Sequence, residues 1–314
     1  MANLNLDEIY HFAVQLGKDA GGMLLSAANA RIDGTAHTIS TEKESAVDIV
    51  TQTDRSYTTR FIGEESYSKG TSKQYLIDES PTWCVDPLDG TVNYIHLVPF
   101  YCVSIGFVVN HEPVIGVVNA PFLHQLFSAC KGKGAWLNES QQIPLLRSPI
   151  PPLPQEAPKG CVFSCEWGKD RRDAADGNLQ RKVESFVNMA TELVGRGGKG
   201  GMVHGVRSLG SATLDLAYCA MGSFDIWWEG GCWEWDVCAG ICLLTEAGGL
   251  ITTANPPDDF ETSAIKPAKL GGRLYLAIRA AGDYEGETGR QAQERTVRAV
   301  WRRVRTLDYS RPGV

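Results

Sequence analysis

Between Trp83 and Tyr94 the chain reads WCVDPLDGTVNY, and no other stretch constrains the fold as tightly. Trp83-Cys84-Val85 is an apolar run of the kind that ends a buried strand. Asp86 and Asp89 follow at once, three residues apart around Pro87 and just ahead of Gly90. Pro87 sets one φ and Gly90 frees the backbone, so the spacing predicts a turn across which both carboxylates converge on one point. Two ionised carboxylates that close repel unless one takes a proton or a cation sits between them. All-oxygen ligands select hard cations, which makes Mg²⁺ the natural occupant rather than zinc.

Further acids stand at the ends of apolar runs. Glu64-Glu65 follows Phe61-Ile62-Gly63, Asp54 closes VDIVTQTD, and Asp236 follows Trp235 at a helix start. Singly, Asp54 and Asp236 also read as helix caps and Glu64 as solvated surface. As a set with no Lys or Arg beside them they predict a multi-carboxylate metal cluster. Gly90-Thr91 adds a second element of chemistry. A helix beginning there would offer free N–H groups to phosphate oxygens, and a threonine hydroxyl bonded to a carboxylate could orient a water for in-line attack. The combination describes metal-dependent hydrolysis of a phosphate monoester.

The remaining sequence supplies a frame for such a site. Residues 6 to 26 form an amphipathic helix, with Asn5 and Glu8 at capping-box spacing and Ile9, Phe12, Ala13, Leu16, Ala20, Met23 and Leu24 recurring at helical steps. Ala46–Val50 reads as a strand. YCVSIGFVV and VIGVV flank NHEP as a hairpin, and residues 126–129 and 134–137 continue it. The first half, 1–150, is thus an α+β unit built on a largely antiparallel sheet. RSPIPPLPQEAPKG, residues 147–160, holds five of the fifteen prolines and marks a seam. Beyond it, 151–314 alternates helices (211–221, 235–247) with strands (224–228, 274–278), a layered α/β pattern. The basic tail 291–305 puts Val297, Val300, Trp301 and Val304 on one face and reads as a packed terminal helix. Gly195-Arg-Gly-Gly-Lys-Gly200 matches a dinucleotide fingerprint but follows a helical segment rather than a strand, so it is a glycine loop.

Composition narrows the partners. The net charge of -7 argues against a nucleic-acid backbone as the main partner. No run approaches the ~18 apolar residues of a membrane span, and the N-terminus lacks the basic-then-apolar order of a signal peptide. A cytoplasmic protein is expected. The nine cysteines are scattered without a C-x-x-C pair and read as small buried hydrophobes.

Taken in order, GEES (63–66), DPLDGTVNYIH (86–96), KGKGAWLN (131–138), HGVRSLGSA (204–212), WDVCAG (235–240) and TEAGG (245–249) resemble the inositol monophosphatase family of Mg²⁺-dependent, lithium-sensitive phosphatases. The resemblance implies a five-layer α-β-α-β-α sandwich of the α/β class, commonly a homodimer, acting on a small-molecule phosphate monoester with two or three Mg²⁺ ions. It implies that Glu64, Asp86 and the Leu88 carbonyl hold one metal, that Asp86, Asp89 and Asp236 hold a second, and that a weaker third lies near Glu64. Thr91, bonded to Asp54, would help Glu64 orient the nucleophilic water, and the Gly90 and Thr91 amides would bind phosphate. Ala212 and Glu229 fall where the family contacts the inositol ring, and Lys43 matches a basic residue near the metals.

One departure stands out. Only RSYTTRFIG, nine residues, separates Asp54 from Glu64, where the resemblance implies a longer interval holding most of a helix. Nine extended residues reach at most about 30 Å. The sequence therefore carries three readings: an inositol monophosphatase, a phosphatase of another sugar or polyol phosphate, and a non-catalytic relative impaired by the short segment. GGCWEWD, with tryptophans where the family often has other residues, could alter the substrate rim.

Overall fold

The computed structural model describes residues 4–35, 60–64, 67 and 77–311. The strand expected at 46–50, together with Lys43 and Asp54, lies outside them. The chain divides into two compact units. The first comprises Met1–Gln142, Gly210–Ala217 and Glu234–Glu246; the second comprises Ile143–Leu209, Tyr218–Trp233 and Ala247–Val314. The passage from the first to the second therefore falls at 142/143, just ahead of the proline-rich seam. The segment carrying Asp236, in the C-terminal half by sequence, belongs to the first unit.

In the first unit α1 spans Leu6–Ile32 and starts at Asn5, whose side chain accepts from the Asp7 and Glu8 amides. It runs beyond residue 26 because the buried face continues through Ala28. The sheet joins, in spatial order, β1 (Arg60–Gly63), β2 (Thr82–Asp89), β3 (Cys102–Val109), β4 (Glu112–Ala120), β5 (Gln125–Cys130), β6 (Ala135–Leu137) and β7 (Gln141–Ile143). The expected hairpin is β3–β4, closed by Asn110 and His111, both at positive φ as a tight two-residue turn requires. β1 pairs in parallel with β2.

Strand alternation puts α1 and the helix Glu234–Glu246 on opposite faces of the sheet. Val103, Ile105 and Phe107 of β3 join the core with Ile9, Ala13, Leu16 and Ala20 of α1. Between them, Ser104 and Gly106 face α5 (Glu234–Glu246): the Ser104 hydroxyl donates to the Trp235 carbonyl at 3.0 Å. Gly116 of β4 lies under the same helix, so close that an added Cβ would stand 2.3 Å from the Ala239 carbonyl oxygen. All nine cysteines are free and buried, as expected of small apolar side chains.

The second unit holds a mixed sheet ordered β11 (Leu250–Thr252), β12 (Leu274–Ile278), β10 (Ile226–Gly230), β8 (Val162–Ser164) and β9 (Gly205–Arg207). Its core gathers Ile226, Trp228, Leu276 and Ile278 with Met189 from α3 (Asn178–Ala190) and Val297, Val300 and Trp301 from α6 (Gly289–Trp301). The tail is thus the packed helix its apolar face predicts, opened by a capping box at Thr288 and Gln291. α4 spans Ala212–Met221, and α2 is the short helix Thr91–Ile95. Among the described residues no helix is long and apolar enough to cross a membrane.

Overpacking beneath α5 gives a direct test. Gly116→Ala should lower unfolding stability by about 1–3 kcal/mol. Gly22→Ala, at a helical position with open space around the new methyl, should raise it by about 0.5–1 kcal/mol. Urea denaturation followed by circular dichroism reads both, and equal midpoints for the two variants would contradict the packing.

Candidate active site

The two aspartates of the opening motif reach one side of the sheet through a register shift. Asp86 stands opposite Ser104 and Asp89 opposite Cys102, so β2 spends three residues where β3 spends two. On a regular strand, residues three apart point to opposite faces. The extra residue at Pro87-Leu88 removes that inversion, and proline, which cannot donate to the ladder, is suited to the irregular position. Both carboxylates therefore share the face of Ser104, which is the face covered by α5. The turn expected at Pro87 is a bulge inside the strand instead, and the strand continues to Asp89.

Two helix starts complete the site. Asp236 sits in the first turn of α5, and one carboxylate oxygen from each of Asp86, Asp89 and Asp236 lies within 4.8 Å of the others. Asp89 is anchored by the beginning of α4. Ser211 donates its hydroxyl to Asp89 Oδ2, and the Thr213 amide reaches the same oxygen at 3.2 Å. The Ser211 hydroxyl also accepts from the Leu214 amide at 3.2 Å, as a helix N-cap does. Thr213 Oγ1 donates to the Asp236 carbonyl at 2.8 Å, tying the two helix starts together. Asp86 is held by the Leu88 amide at 2.9 Å.

Neither Asp86 nor Asp89 makes an ion pair with a described residue, and Asp86 is 3% exposed. Burial, with the charges of Glu64, Asp89 and Asp236 adding to it, pushes the Asp86 carboxyl well above the usual carboxylate range. Burial also raises Asp89, against the opposing hydrogen bonds from Ser211 and Thr213. Three carboxylates with oxygen donors only, one buried and two half-buried, are the donor set of a hard divalent cation, so the residues present fit Mg²⁺.

Glu64 reaches this end of the sheet despite the short interval before it. β1 pairs with β2 so that Gly63 lies beside Val85, which brings Glu64 alongside Asp86, close enough for its charge to act on both Asp86 and Asp89. Thr91 opens α2, and its hydroxyl donates to the Leu88 carbonyl at 3.1 Å, leaving that oxygen a second lone pair. The partnership of Thr91 with Asp54 falls outside the described residues. Gly90 takes φ 81°, where a side chain would also press 2.7 Å from the Phe100 carbonyl oxygen, so the turn into α2 requires glycine. Ala212 is the first residue of α4, next to Ser211.

Glu229 belongs to the second unit and lies at the end of β10, 2% exposed. It forms a buried ion pair with Lys182 of α3 and accepts from the Glu166 amide at 2.7 Å and the Gly230 amide at 2.9 Å. Glu166 is in turn fixed by the Ser208 hydroxyl at 2.8 Å and the Leu209 amide at 2.6 Å. Sequence reasoning missed the anchoring roles of Ser211 and Thr213 and the pairing of Lys182. Ser211 just ahead of a helical pattern carried an N-cap signal, whereas nothing in NLQRKVESFVNMA distinguishes a buried lysine from a solvated one.

Known proteins share this arrangement of sequence and fold. The model of the inositol monophosphatase family matches residues 5–305. Protein qutG of Emericella nidulans is 66% identical over 98% of this chain and 96% of its own length. The quinic acid degradation cluster protein x of Neurospora crassa is 65% identical, over 98% and 97%. Inositol monophosphatase 2 of Saccharomyces cerevisiae is 36% identical, over 95% and 96%. Among solved structures, the inositol monophosphatase of Anabaena superposes with a TM-score of 0.67 at 27% identity, covering 95% of this chain and 96% of that one. With its two mixed sheets and covering helices, the chain has the α/β layered fold, and it belongs to the inositol monophosphatase family of phosphatases.

Proposed function

We propose that this chain is a Mg²⁺-dependent phosphatase that cleaves myo-inositol monophosphate to inositol and phosphate. The observation that carries the reading is the convergence of Asp86, Asp89 and Asp236 in a chain of this family. Glu64, Asp86 and the Leu88 carbonyl would hold one ion; Asp86, Asp89 and Asp236 would hold a second, with a weaker third near Glu64. When bound, the ions supply positive charge that offsets the phosphate and the charge developing in the transition state.

The remaining work falls to the chain itself. The Gly90 and Thr91 amides, at the open first turn of α2, hold phosphate oxygens. Glu64 and Thr91, the latter bonded to Asp54, orient a water in line with the scissile bond. The water oxygen bonds to phosphorus as the ester P–O bond breaks, and the freed ring oxygen leaves with a proton. Ala212 and Glu229 contact the ring, and Lys182 holds the Glu229 carboxylate still. The protein acts in the cytoplasm as a homodimer and is inhibited by lithium.

A second reading keeps the chemistry and changes the ester. The Neurospora crassa relative at 65% identity carries a name that ties it to quinic acid degradation, which supports a polyol phosphate other than inositol phosphate as substrate. Phosphate release from inositol 1-phosphate, shikimate 3-phosphate and fructose 1,6-bisphosphate, with Mg²⁺ and with EDTA, separates the two.

Asp89→Asn should lower kcat on the preferred ester by at least about a hundredfold, since several kcal/mol of transition-state stabilisation depend on the cluster. Full activity in that variant would overturn the metal assignment. A second consequence concerns stability. In metal-free protein the raised Asp86 makes the folded chain bind more protons than the unfolded chain above about pH 4, so stability should fall as pH rises from there toward the raised value. Both Asp86→Asn and saturating Mg²⁺ should flatten this slope. Thermal melts between pH 5 and 8, in EDTA and in Mg²⁺, check the sign, and a slope unchanged by both would refute it.

A further inference from the structure

The Ser211 hydroxyl has its single proton committed to one neighbour, and every group around it belongs to the first unit. The Leu214 amide donates to Ser211 Oγ at 3.2 Å, and the Asp215 amide donates to the Ser211 carbonyl at 3.0 Å, which makes Ser211 the N-cap of α4. Asp89 Oδ2 lies within hydrogen-bond distance of the same hydroxyl, and Cys102 Sγ stands 3.9 Å away. A hydroxyl carries one proton and two acceptor lone pairs, whereas an ionised carboxylate only accepts. The proton therefore goes to Asp89 while a lone pair takes the Leu214 amide. Capping and donation use different parts of one side chain and do not compete.

The bond to Asp89 is charge-assisted and sheltered. Ser211 is 1% exposed and Thr213 is fully buried, so no bulk water stands beside the hydroxyl to replace it. Asp89 Oδ2 receives both donors, the Ser211 hydroxyl and the Thr213 amide at 3.2 Å, and the carboxylate cannot rotate without giving up at least one of them. The start of α5, which carries Asp236, is pinned in the same way. Thr213 Oγ1 donates to the Asp236 carbonyl at 2.8 Å and Ser104 Oγ to the Trp235 carbonyl at 3.0 Å.

Of the two anchors on Asp89, only the hydroxyl is supplied by a side chain, and substitution can remove it while the main chain stays. Its importance follows from the repulsion it works against. Oxygens of Asp86, Asp89 and Asp236 lie within 4.8 Å of one another. Before a cation arrives, like charges at that separation drive a carboxylate to turn away or to take a proton. Either change must be undone on binding, and a donor that holds Asp89 in place removes that cost from the affinity.

We propose that Ser211 is a positioning residue that sets the affinity of the carboxylate cluster for its divalent cation, acting through the proton it gives to Asp89 and not through its cap on α4. The inference rests on the reading above, in which Asp89 is a ligand of the cation. Groups that orient a metal ligand from behind contribute about ten- to a hundredfold in metal affinity.

The test measures Mg²⁺ binding to the EDTA-stripped full chain without substrate, as an apparent Kd from the rise in melting temperature during Mg²⁺ titration. Ser211→Gly keeps most of the cap, since glycine caps a helix nearly as well as serine, but it has no proton to donate. Its Kd for Mg²⁺ should rise about ten- to a hundredfold. Ser211→Thr retains the hydroxyl and should restore most of the affinity. Ile9→Ala, in the core beneath α1 on the opposite face of the sheet, should lower the melting temperature without moving the Kd. In steady-state kinetics Ser211→Gly should raise the KM for Mg²⁺ by more than it changes kcat. An unchanged Kd in Ser211→Gly beside an active wild type overturns the inference and leaves the phosphatase reading intact. An equal rise in Ser211→Thr or in Ile9→Ala assigns the effect to general destabilisation and overturns it as well. If the wild type binds Mg²⁺ but cleaves no ester, the phosphatase reading fails and the Kd ratio still decides the role of Ser211. A wild type whose melting temperature does not respond to Mg²⁺ overturns both.

Discussion

The first unit is arranged around the mutual repulsion of carboxylates that have been brought together, one of them buried and two half-buried. Asp86, Asp89 and Asp236 do not attract one another, so each must be held from outside. The hold on Asp86 is the Leu88 amide; that on Asp89 is the hydroxyl and amide at the start of α4. The main chain at Asp236 is tied back to Thr213. These are fixed dipoles rather than counter-charges. They steady the oxygens without cancelling the field, which is why a small hard cation suits the cluster better than a lysine would. The bulge at Pro87-Leu88 is the covalent part of the same device, since without it one aspartate would face α1 and the apolar core.

Much of this frame was legible in one dimension. Strand alternation, the hairpin through Asn110-His111 and the apolar face of the terminal helix are short-range signals, and each produced the predicted element. The carboxylates could be picked out because charge directly after a buried run is costly without a reason. What could not be read was geometry set by neighbours. Whether Pro87 makes a turn or a bulge depends on what β3 does opposite it. The burial of Lys182 depends on Glu229, 47 positions later in the chain. The division at 150 placed the Asp236 segment by its position along the chain, while packing returns it to the first unit.

The short interval before Glu64 illustrates a different limit. Counting residues suggested a missing helix and a stranded ligand. Parallel pairing of β1 with β2 answers the second point, because a four-residue strand in register is enough to bring Glu64 beside Asp86. The three aspartates that converge, Asp86, Asp89 and Asp236, all belong to the first unit. In the second unit Glu229 is fixed on three sides, by Lys182 and by the amides of Glu166 and Gly230. A shared fold can host different substrates, because function lives in the groups grafted on it.

The order in which the chain visits its units has a consequence for its synthesis. Asp89 and Asp236 are 147 positions apart, and more than half of the intervening chain belongs to the other unit. The sheet of the first unit is translated early, yet the helix that covers its Ser104–Gly116 side ends only at Glu246. A nascent chain must therefore wait with one face of that sheet exposed, since contacts of such long sequence separation form late and slowly. Completion of the carboxylate cluster marks the moment when this wait ends, and cation uptake would serve as a natural reporter that the last layer has closed.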